Sequence, residues 1–427
     1  MTASPEADHW LDSIQAVWPS AQIRHAGRGP SSRPRQGELY LVPNAAQPKL
    51  VMPTDRRLAA SVLGSHGTPS SSAQRVRRRG LALALQLGLG PWILPDRLVP
   101  VNGPAGAEAA GLVGHLGAEL GQHVRASMPV TPTRANRKPV LQLLGDDGRP
   151  IGFCKVGVNP LTSALVARET AVLAALSATK PQTFTPPAMT YHGQWQSYDV
   201  MVCSPLPTAQ AVRPERSVLV RAMLELSKAP TLAVAGSQLE SSSGSYFSEL
   251  ARRTRAAAGE APSGERRIVL EQLAALAVRL DQAALESVPV GNWHGDWTPW
   301  NCGQLNDQLL VWDWERAVGG VPQGFDLVHY DLQQAVTGHR TTHLQAATDC
   351  LDSAPDLLAP WGHSETVART VVAAYLMEIS LRYLIDDQRA AGGFGGAVED
   401  WALPVISDFL TSTTPTSSTA TTESDPS

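Results

Sequence analysis

The chain is poor in cysteine, in net charge and in unbroken apolar runs. Only four of its 427 residues are cysteine: Cys154, Cys203, Cys302 and Cys350. They are scattered and form no CxxC pair, which argues against a zinc site or a disulfide framework. Reduced thiols in a cytosolic protein are the plain reading. The net charge of −4 lacks the basic excess that a nucleic-acid surface carries. The longest greasy window, LALALQLGLGPWIL (81–94), contains Gly and Pro and is too short to span a bilayer. It reads as a core helix followed by a strand. The opening MTASPEADHWLDSIQ lacks a basic region followed by an apolar run, so no signal peptide is expected. The expectation is a cytoplasmic protein without membrane or nucleic-acid partners; the oligomeric state is not legible.

What the chain does have is length and 43% hydrophobic residues, enough for two or three domains or lobes. ELYLV (38–42) and PKLVMP (48–53) read as a hairpin, followed by helices near 55–65 and 71–89. RVRRR (75–79) reads as a solvated helix face. No chemistry shows in residues 1–120, taken as an α+β extension. From 121 the pattern changes. HVRASMPVT, PVLQLLG and IGFCKVGV read as three strands, joined by the polar loop PTRANRK and a DDG turn. A helix follows, with Asn159 as N-cap and Pro160 in its first position. YDVMVCSPLP (198–207) is a strand entering a Pro-rich connector. Beyond 210 the chain reads as mainly helical, and the tail from 411, TSTTPTSSTATTESDPS, reads as disordered. The glycine run AGGFGGA (391–397) lies between two late helices and reads as a hinge loop, not a phosphate cradle.

Candidate chemistry begins at Lys155. Strand alternation puts it on one face with Ile151 and Phe153, unusual company for a lysine unless it snorkels to water. On the next helix, Leu165, Glu169, Val172, Leu173 and Leu176 share an apolar stripe. A carboxylate there needs a partner or a place on the stripe's rim, and Lys155 is the nearest candidate in sequence. Farther on, NWHGDWTPWNCGQLNDQLLVWDWE (292–315) carries five tryptophans around HGDWTPWN, of the form H-x-D-x4-N. Twelve residues after Asn301 comes Asp313, at the end of a strand.

In these motifs the chain resembles the aminoglycoside phosphotransferase and choline kinase family, the small-molecule branch of the protein-kinase-like fold. The matching residues are CK at Lys155, RE at Glu169, HGDWTPWN at 294–301, VWDWERA at 311–317 and FDL at 325–327. The resemblance covers about 121–410. It implies an α+β, two-lobed fold: a small β-rich N-lobe over 121–203 and a larger helical C-lobe over 204–410, beside the extra N-terminal region. It implies a kinase that moves the γ-phosphate of ATP or GTP to a hydroxyl of a sugar, aminoglycoside or amino alcohol, with Mg2+ as cofactor. Asp296 would be the catalytic base. Asn301 and Asp313 would be metal ligands, with Glu315 a candidate for a water-mediated contact. Lys155 would hold the nucleotide's phosphates and Glu169 would hold Lys155. His294 and Asp326 would be structural, bracing the catalytic loop.

The loop 131–138 sits where these folds cover the phosphates, but it lacks glycine. Thr133, Arg134 and Asn136 are phosphate candidates there, against an equal reading as a solvated hairpin tip. Ser204 and Leu206 offer backbone groups to a purine by position. Trp297, Trp300 and Glu378 are acceptor candidates, against core packing for the rings and a surface place for the acid. Two competitors stand beside this reading. One is a catalytically silent kinase-like module that binds nucleotide or protein. The other is a protein kinase, disfavoured because only ERAVGGVPQG separates Asp313 from FDL.

Overall fold

In the computed structural model, the described residues are 5–19, 21–35, 37–65, 72–100, 111–130, 138–232, 245–284, 287–338, 341–387 and 396–413. The expected disordered tail lies outside them from 414 on, as does most of the 391–397 glycine run. The fold is α+β. Two compact units divide the chain: Met1–Val218 with Cys302–Ala317, and Leu219–Asn301 with Val318–Ser427. The expected lobes were continuous in sequence, whereas these units exchange the segment 302–317.

Unit 1 is built on a nine-stranded antiparallel sheet in the order β1-β4-β2-β3-β5-β6-β7-β10-β9. Its strands are β1 (Ala21–His25), β2 (Leu39–Val42), β3 (Leu50–Pro53), β4 (Asp96–Pro100), β5 (Arg125–Pro129), β6 (Val140–Leu144), β7 (Pro150–Gly157), β9 (Met189–Trp195) and β10 (Tyr198–Cys203). The N-terminal region is therefore continuous with the later strands, because β3 pairs with β5 through Leu50 opposite Pro129 and Val51 opposite Met128.

Strand alternation explains how both faces are covered. Tyr40, Leu50 and Met52 join one buried cluster with Ala59 and Val62 of α2 (Arg56–Ser65) and Leu85 of α3 (Ser72–Gln86). Their neighbours Leu41 and Val51 point the other way. They join Ile14 and Val17 of α1 (Pro5–Val17) and Leu112 and Leu116 of α5 (Leu112–Glu119), α4 being the short turn Gly90–Ile93. Each such aliphatic side chain contributes about 1.5–3 kcal/mol on burial.

Helix α6 (Pro160–Thr179) starts at a capping box: the Asn159 side chain accepts from the Thr162 N–H, and the Thr162 hydroxyl accepts from the Asn159 N–H. This helix is long and apolar enough to cross a membrane, but its buried stripe is Leu165, Glu169, Val172, Leu173 and Leu176. A small sheet completes the unit. β12 (Cys302–Leu305) pairs with β13 (Gln308–Val311), which pairs in parallel with β8 (Phe184–Thr185).

Unit 2 is mostly helical. A two-stranded ribbon, β11 (Val290–Trp293) with β14 (Val318–Pro322), frames the HGD segment. The helices are α7 (Arg216–Lys228, entering from unit 1), α8 (Tyr246–Glu260), α9 (Glu265–Ala283), α10 (Phe325–Gly338), α11 (His343–Asp352), α12 (Ala354–Leu357), α13 (Glu365–Ile385) and α14 (Ala402–Thr413). Helix α13 is buried around almost its whole circumference from Val367 to Leu381. A helix apolar on every side must be wrapped, and α8 to α12 and α14 all pack on α13.

Three elements differ from the expectation drawn from sequence. WILPDRLVPV (92–101), expected as a strand, opens inside the turn of α4 (Gly90–Ile93), and β4 begins only at Asp96. The strand expected over 308–314 ends at Val311. Asp313 then takes a left-handed conformation (φ 70°, ψ 57°) and a 3-10 turn follows over Trp314–Arg316. Helix α1 was not read, although Trp10, Ile14 and Val17 form its buried edge.

Candidate active site

In unit 1, β7 carries Lys155 between Val140 of β6 and Met201 of β10. Neighbours on both sides leave the lysine no sheet edge from which to snorkel; its side chain is 9% exposed and Glu169 is 1% exposed. Lys155 Nζ donates to Glu169 Oε1 at 2.7 Å and Oε2 at 2.6 Å, and to Asp313 Oδ1 at 2.6 Å. Burial alone would lower its pKa, but Asp313 and Glu169 outweigh it and hold the ammonium well above its ordinary range.

Glu169 accepts a third bond, from the Trp314 N–H at 3.2 Å. The Trp314 ring stacks on Phe184, with centroids 5.6 Å apart, and donates from Nε1 to Val311 O at 2.9 Å. The left-handed turn at Asp313 is thus fixed by the residue after it.

Glu315 lies in the same cluster, paired with Lys138 at the end of the 131–138 loop. Burial first, then the charge of Lys155, pulls the Lys138 pKa down to about 8. One oxygen from each of Glu169, Asp313 and Glu315 lies within 4.8 Å of the others. A set of hard carboxylate oxygens at that spacing fits Mg2+. Lys155 and Lys138 face these carboxylates, and the charge of Arg316 also reaches Lys138.

In unit 2, the HGD segment follows β11. Gly295 takes φ 80°, a left-handed conformation that glycine enters without strain. The carboxylate of Asp326, on α10, accepts from the His294 N–H at 2.8 Å and the Gly295 N–H at 3.2 Å. Burial raises the pKa of Asp326 to about 7, against the pull of those two donors. His294 is fully buried, and its Nδ1 accepts from the Asp296 N–H at 3.2 Å. Arg382 of α13 donates to the Gly295 carbonyl, and its guanidinium lies 4.8 Å from the Trp293 ring centroid.

This pinned loop presents Asp296. Its side chain is 38% exposed, with Oδ1 3.3 Å from His329 Nε2. The other ring nitrogen, Nδ1, is hydrogen-bonded with Tyr375 Oη at 2.7 Å. Asn301 Nδ2 donates to Asp296 Oδ2 at 2.8 Å and to Asp296 O at 2.9 Å. Committing the amide nitrogen this way keeps the amide oxygen for another partner.

Several candidates from sequence are placed otherwise. Trp297 is fully buried, so it packs beneath the loop and offers no ring to an acceptor; Trp300 is 51% exposed and does. Glu378 is neither a surface acid nor open to a ligand. Both its oxygens are held by Arg253, and Oε2 also accepts from Tyr246 Oη at 2.7 Å. Burial would raise its pKa, but the Arg253 charge overrides this and holds it at about 2.

Ser204 already donates its N–H to Ala188 O at 2.7 Å, and Leu206 O accepts from the Thr208 N–H at 2.8 Å. Thr133, Arg134 and Asn136 lie outside the described residues. Sequence reasoning missed Lys138, His329, Tyr375 and Arg382. One signal was available: His329 stands three residues after Asp326, on the same helix face.

No family model matches the chain, and no curated protein matches it. Solved structures do. The chain is similar to a thermostable mutant of the aminoglycoside phosphotransferase APH(4)-Ia, solved in a ternary complex with AMP-PNP and hygromycin B. There the identity is 14%, the match covers 71% of this chain and 99% of that one, and the TM-score is 0.46. It is similar to a putative fructosamine-3-kinase from Haemophilus somnus, with 12% identity, 69% and 95% coverage and a TM-score of 0.43. It is also similar to the aminoglycoside phosphotransferase APH(3'')-Id from Streptomyces rimosus in complex with ADP and streptomycin, with 17% identity, 56% and 90% coverage and a TM-score of 0.36.

Proposed function

We propose that the protein is a small-molecule kinase that transfers the terminal phosphoryl group of ATP or GTP to a hydroxyl of a sugar, aminoglycoside or amino alcohol. The observation that carries this reading is the buried Lys155, bonded at once to Glu169 and Asp313 beside a further carboxylate, Glu315. A lysine fixed by a helix-borne glutamate is set to hold nucleotide phosphates as a point charge. Asp313 and Glu315 are the residues of unit 1 that would hold Mg2+; Asn301, the metal candidate of unit 2, commits its amide nitrogen to Asp296 and keeps its amide oxygen. When bound, Mg2+ neutralises the charge of the phosphates.

Asp296 is the base in this reading. Half its carboxylate is held by Asn301, the other oxygen faces His329, and more than a third of the side chain is open. It accepts the proton of the acceptor hydroxyl as the oxygen attacks phosphorus. Asp326 and Arg382 fix the loop backbone, so the base needs no reorganisation at that moment. The exposed Trp300 is the remaining ring for acceptor contact. A cytoplasmic location is part of this proposal, in keeping with ATP or GTP as the donor.

The test is a phosphotransfer screen of sugars, aminoglycosides and amino alcohols with ATP and GTP in parallel. The expected result is magnesium-dependent transfer to at least one class. Asp296→Ala should lose about 10²–10⁴-fold in turnover while nucleotide binding survives. Full turnover in that variant would refute the assignment of the base. Nucleotide binding without transfer to any acceptor would favour the silent module.

A further inference from the structure

A cavity in unit 1, lined by residues between Trp18 and Ala126, shares no residue with the cluster around Lys155. Its volume is about 1010 Å³, at the upper end of the range for small-molecule sites. Its wall carries Arg33, Arg35, Arg56, Arg57 and Arg125 against two acids, Glu38 and Asp55. Both acids are already engaged. Glu38 pairs with Arg24 at 2.5 Å and lies 3.8 Å from Arg97, while Asp55 Oδ1 caps α2 by accepting the N–H groups of Arg57 and Leu58. Among the described residues, Arg33, Arg35, Arg56 and Arg57 form no ion pair. The wall therefore carries uncompensated positive charge into a concave space.

Two further features make this more than a basic surface. First, α3 ends in a Schellman motif: the Leu89 N–H bonds Ala84 O, the Gly88 N–H bonds Leu85 O, and Gly88 takes φ 82°. A Cβ at Gly88 would lie 2.6 Å from the Arg56 guanidinium carbon, so the absent side chain leaves the space that the guanidinium fills at the wall. Second, Arg97 is fully buried behind the wall and stacks at 5.1 Å on Tyr40, whose ring lines the cavity. Arg97 Nη2 donates to Ser32 O at 2.8 Å, but its Nε and Nη1 meet no acceptor in hydrogen-bonding geometry. Arg97 shares the one buried carboxylate of Glu38 with Arg24, so two guanidiniums face one acid on that side. Trp18, Tyr40 and Trp92 supply flat apolar faces beside the arginines.

We infer that this cavity binds a small molecule that joins an oxyanion, phosphate or carboxylate, to a flat apolar body. Guanidinium forks match both oxyanions in geometry and charge, and the aromatic faces take the body.

The test uses the full chain with phenyl phosphate and benzoate as probes, benzyl alcohol and benzylamine as neutral and cationic controls, and ionic strength held constant. Binding is read by isothermal titration calorimetry and by thermal shift. At least one of the two anions should bind saturably while the controls do not, and the better anion identifies the oxyanion. Arg56→Ala and Arg57→Ala should each weaken it by roughly tenfold, with Arg56→Lys falling between. Both side chains are exposed, so circular dichroism should show an intact fold. The double variant Lys155→Met/Glu169→Leu, which removes both buried charges together, should leave the probe's affinity unchanged, which separates this site from the nucleotide reading. Failure of both anions to bind, equal binding of benzyl alcohol, indifference to the arginine substitutions, or loss in that folded double variant would each overturn the inference.

Discussion

Replacing Glu169 with alanine removes both carboxylate oxygens that Lys155 Nζ contacts at 2.7 and 2.6 Å, and the acceptor of the Trp314 N–H. The perturbed lysine cannot turn to water, because only 9% of its side chain is exposed. Breaking a buried pair by removing one partner costs about 3–5 kcal/mol. Here Asp313 still holds Lys155 at 2.6 Å, which argues for the lower end. The orphaned Trp314 N–H adds about 1–3 kcal/mol of lost hydrogen bonding in a buried site. The expected total is on the order of 4–6 kcal/mol, or roughly 8–24 °C in Tm for a unit of this size.

Lys155→Met should cost as much, because it strands Glu169 beside Asp313 without their cation. The double variant Lys155→Met/Glu169→Leu removes both charges and fills the space with apolar atoms. It should therefore be far more stable than the sum of the singles, with a coupling of at least about 2 kcal/mol. The assay is equilibrium urea unfolding followed by tryptophan fluorescence and far-UV circular dichroism, since coincidence of the two probes tests cooperativity. Single variants that cost under about 1 kcal/mol each and simply add would refute the reasoning, because they would mean the lysine exchanges its partners with water.

Three further outcomes are expected. His329→Phe removes the ring nitrogen 3.3 Å from Asp296 Oδ1; kcat should fall roughly tenfold with KM nearly unchanged, His329→Gln should recover part of it, and a pure KM effect would exclude a positioning role. Asp326 rises from 3.8 to about 7 on folding. Its contribution to stability is therefore full below pH 3.8, falls as pH rises, and is lost above about 7. Asp326→Asn should flatten that part of the pH–stability curve in urea titrations at stepped pH, and an unchanged slope would contradict it. Glu378→Gln should destabilise unit 2 by about 3 kcal/mol without a selective change in acceptor KM, which steady-state kinetics against thermal unfolding will separate.

These residues also show what a sequence can carry. The buried face of α6 is a local property: the 3.6-residue period puts Glu169 among Leu165, Val172 and Leu176, and a buried carboxylate demands a cation. Strand alternation supplies one in Lys155, fourteen residues away. Glu378 poses the same problem on α13, yet its partner Arg253 lies 125 residues away on α8. No period connects the two, so the acid looked available for a ligand. Trp297 and Trp300 are three residues apart in one loop, and only the packed structure separates a fully buried ring from a half-exposed one. The continuous sheet is the same kind of case: β3 joins β5 by two residue pairs across more than seventy intervening residues, which no turn signal announces.

A common rule underlies these outcomes. A buried charge dictates that a partner exists, and only local periodicity dictates which one. Where strand and helix are adjacent, as at Lys155 and Glu169, both conditions hold and the pair can be read. For His329 only half the condition holds. Its helix face is set by Asp326 three residues before it, which aims it at the loop that Asp326 pins, but its bond to Tyr375 depends on how α10 packs on α13. In the proposed function, a base positioned by a histidine that is itself fixed by helix packing would couple the chemistry to the core of unit 2. Tyr375→Phe removes that fixing hydroxyl and leaves the ring's packing intact. It should reproduce a weaker form of the His329→Phe defect in kcat at nearly unchanged stability, and a kcat equal to the parent's would cut the chain of argument between Tyr375 and Asp296.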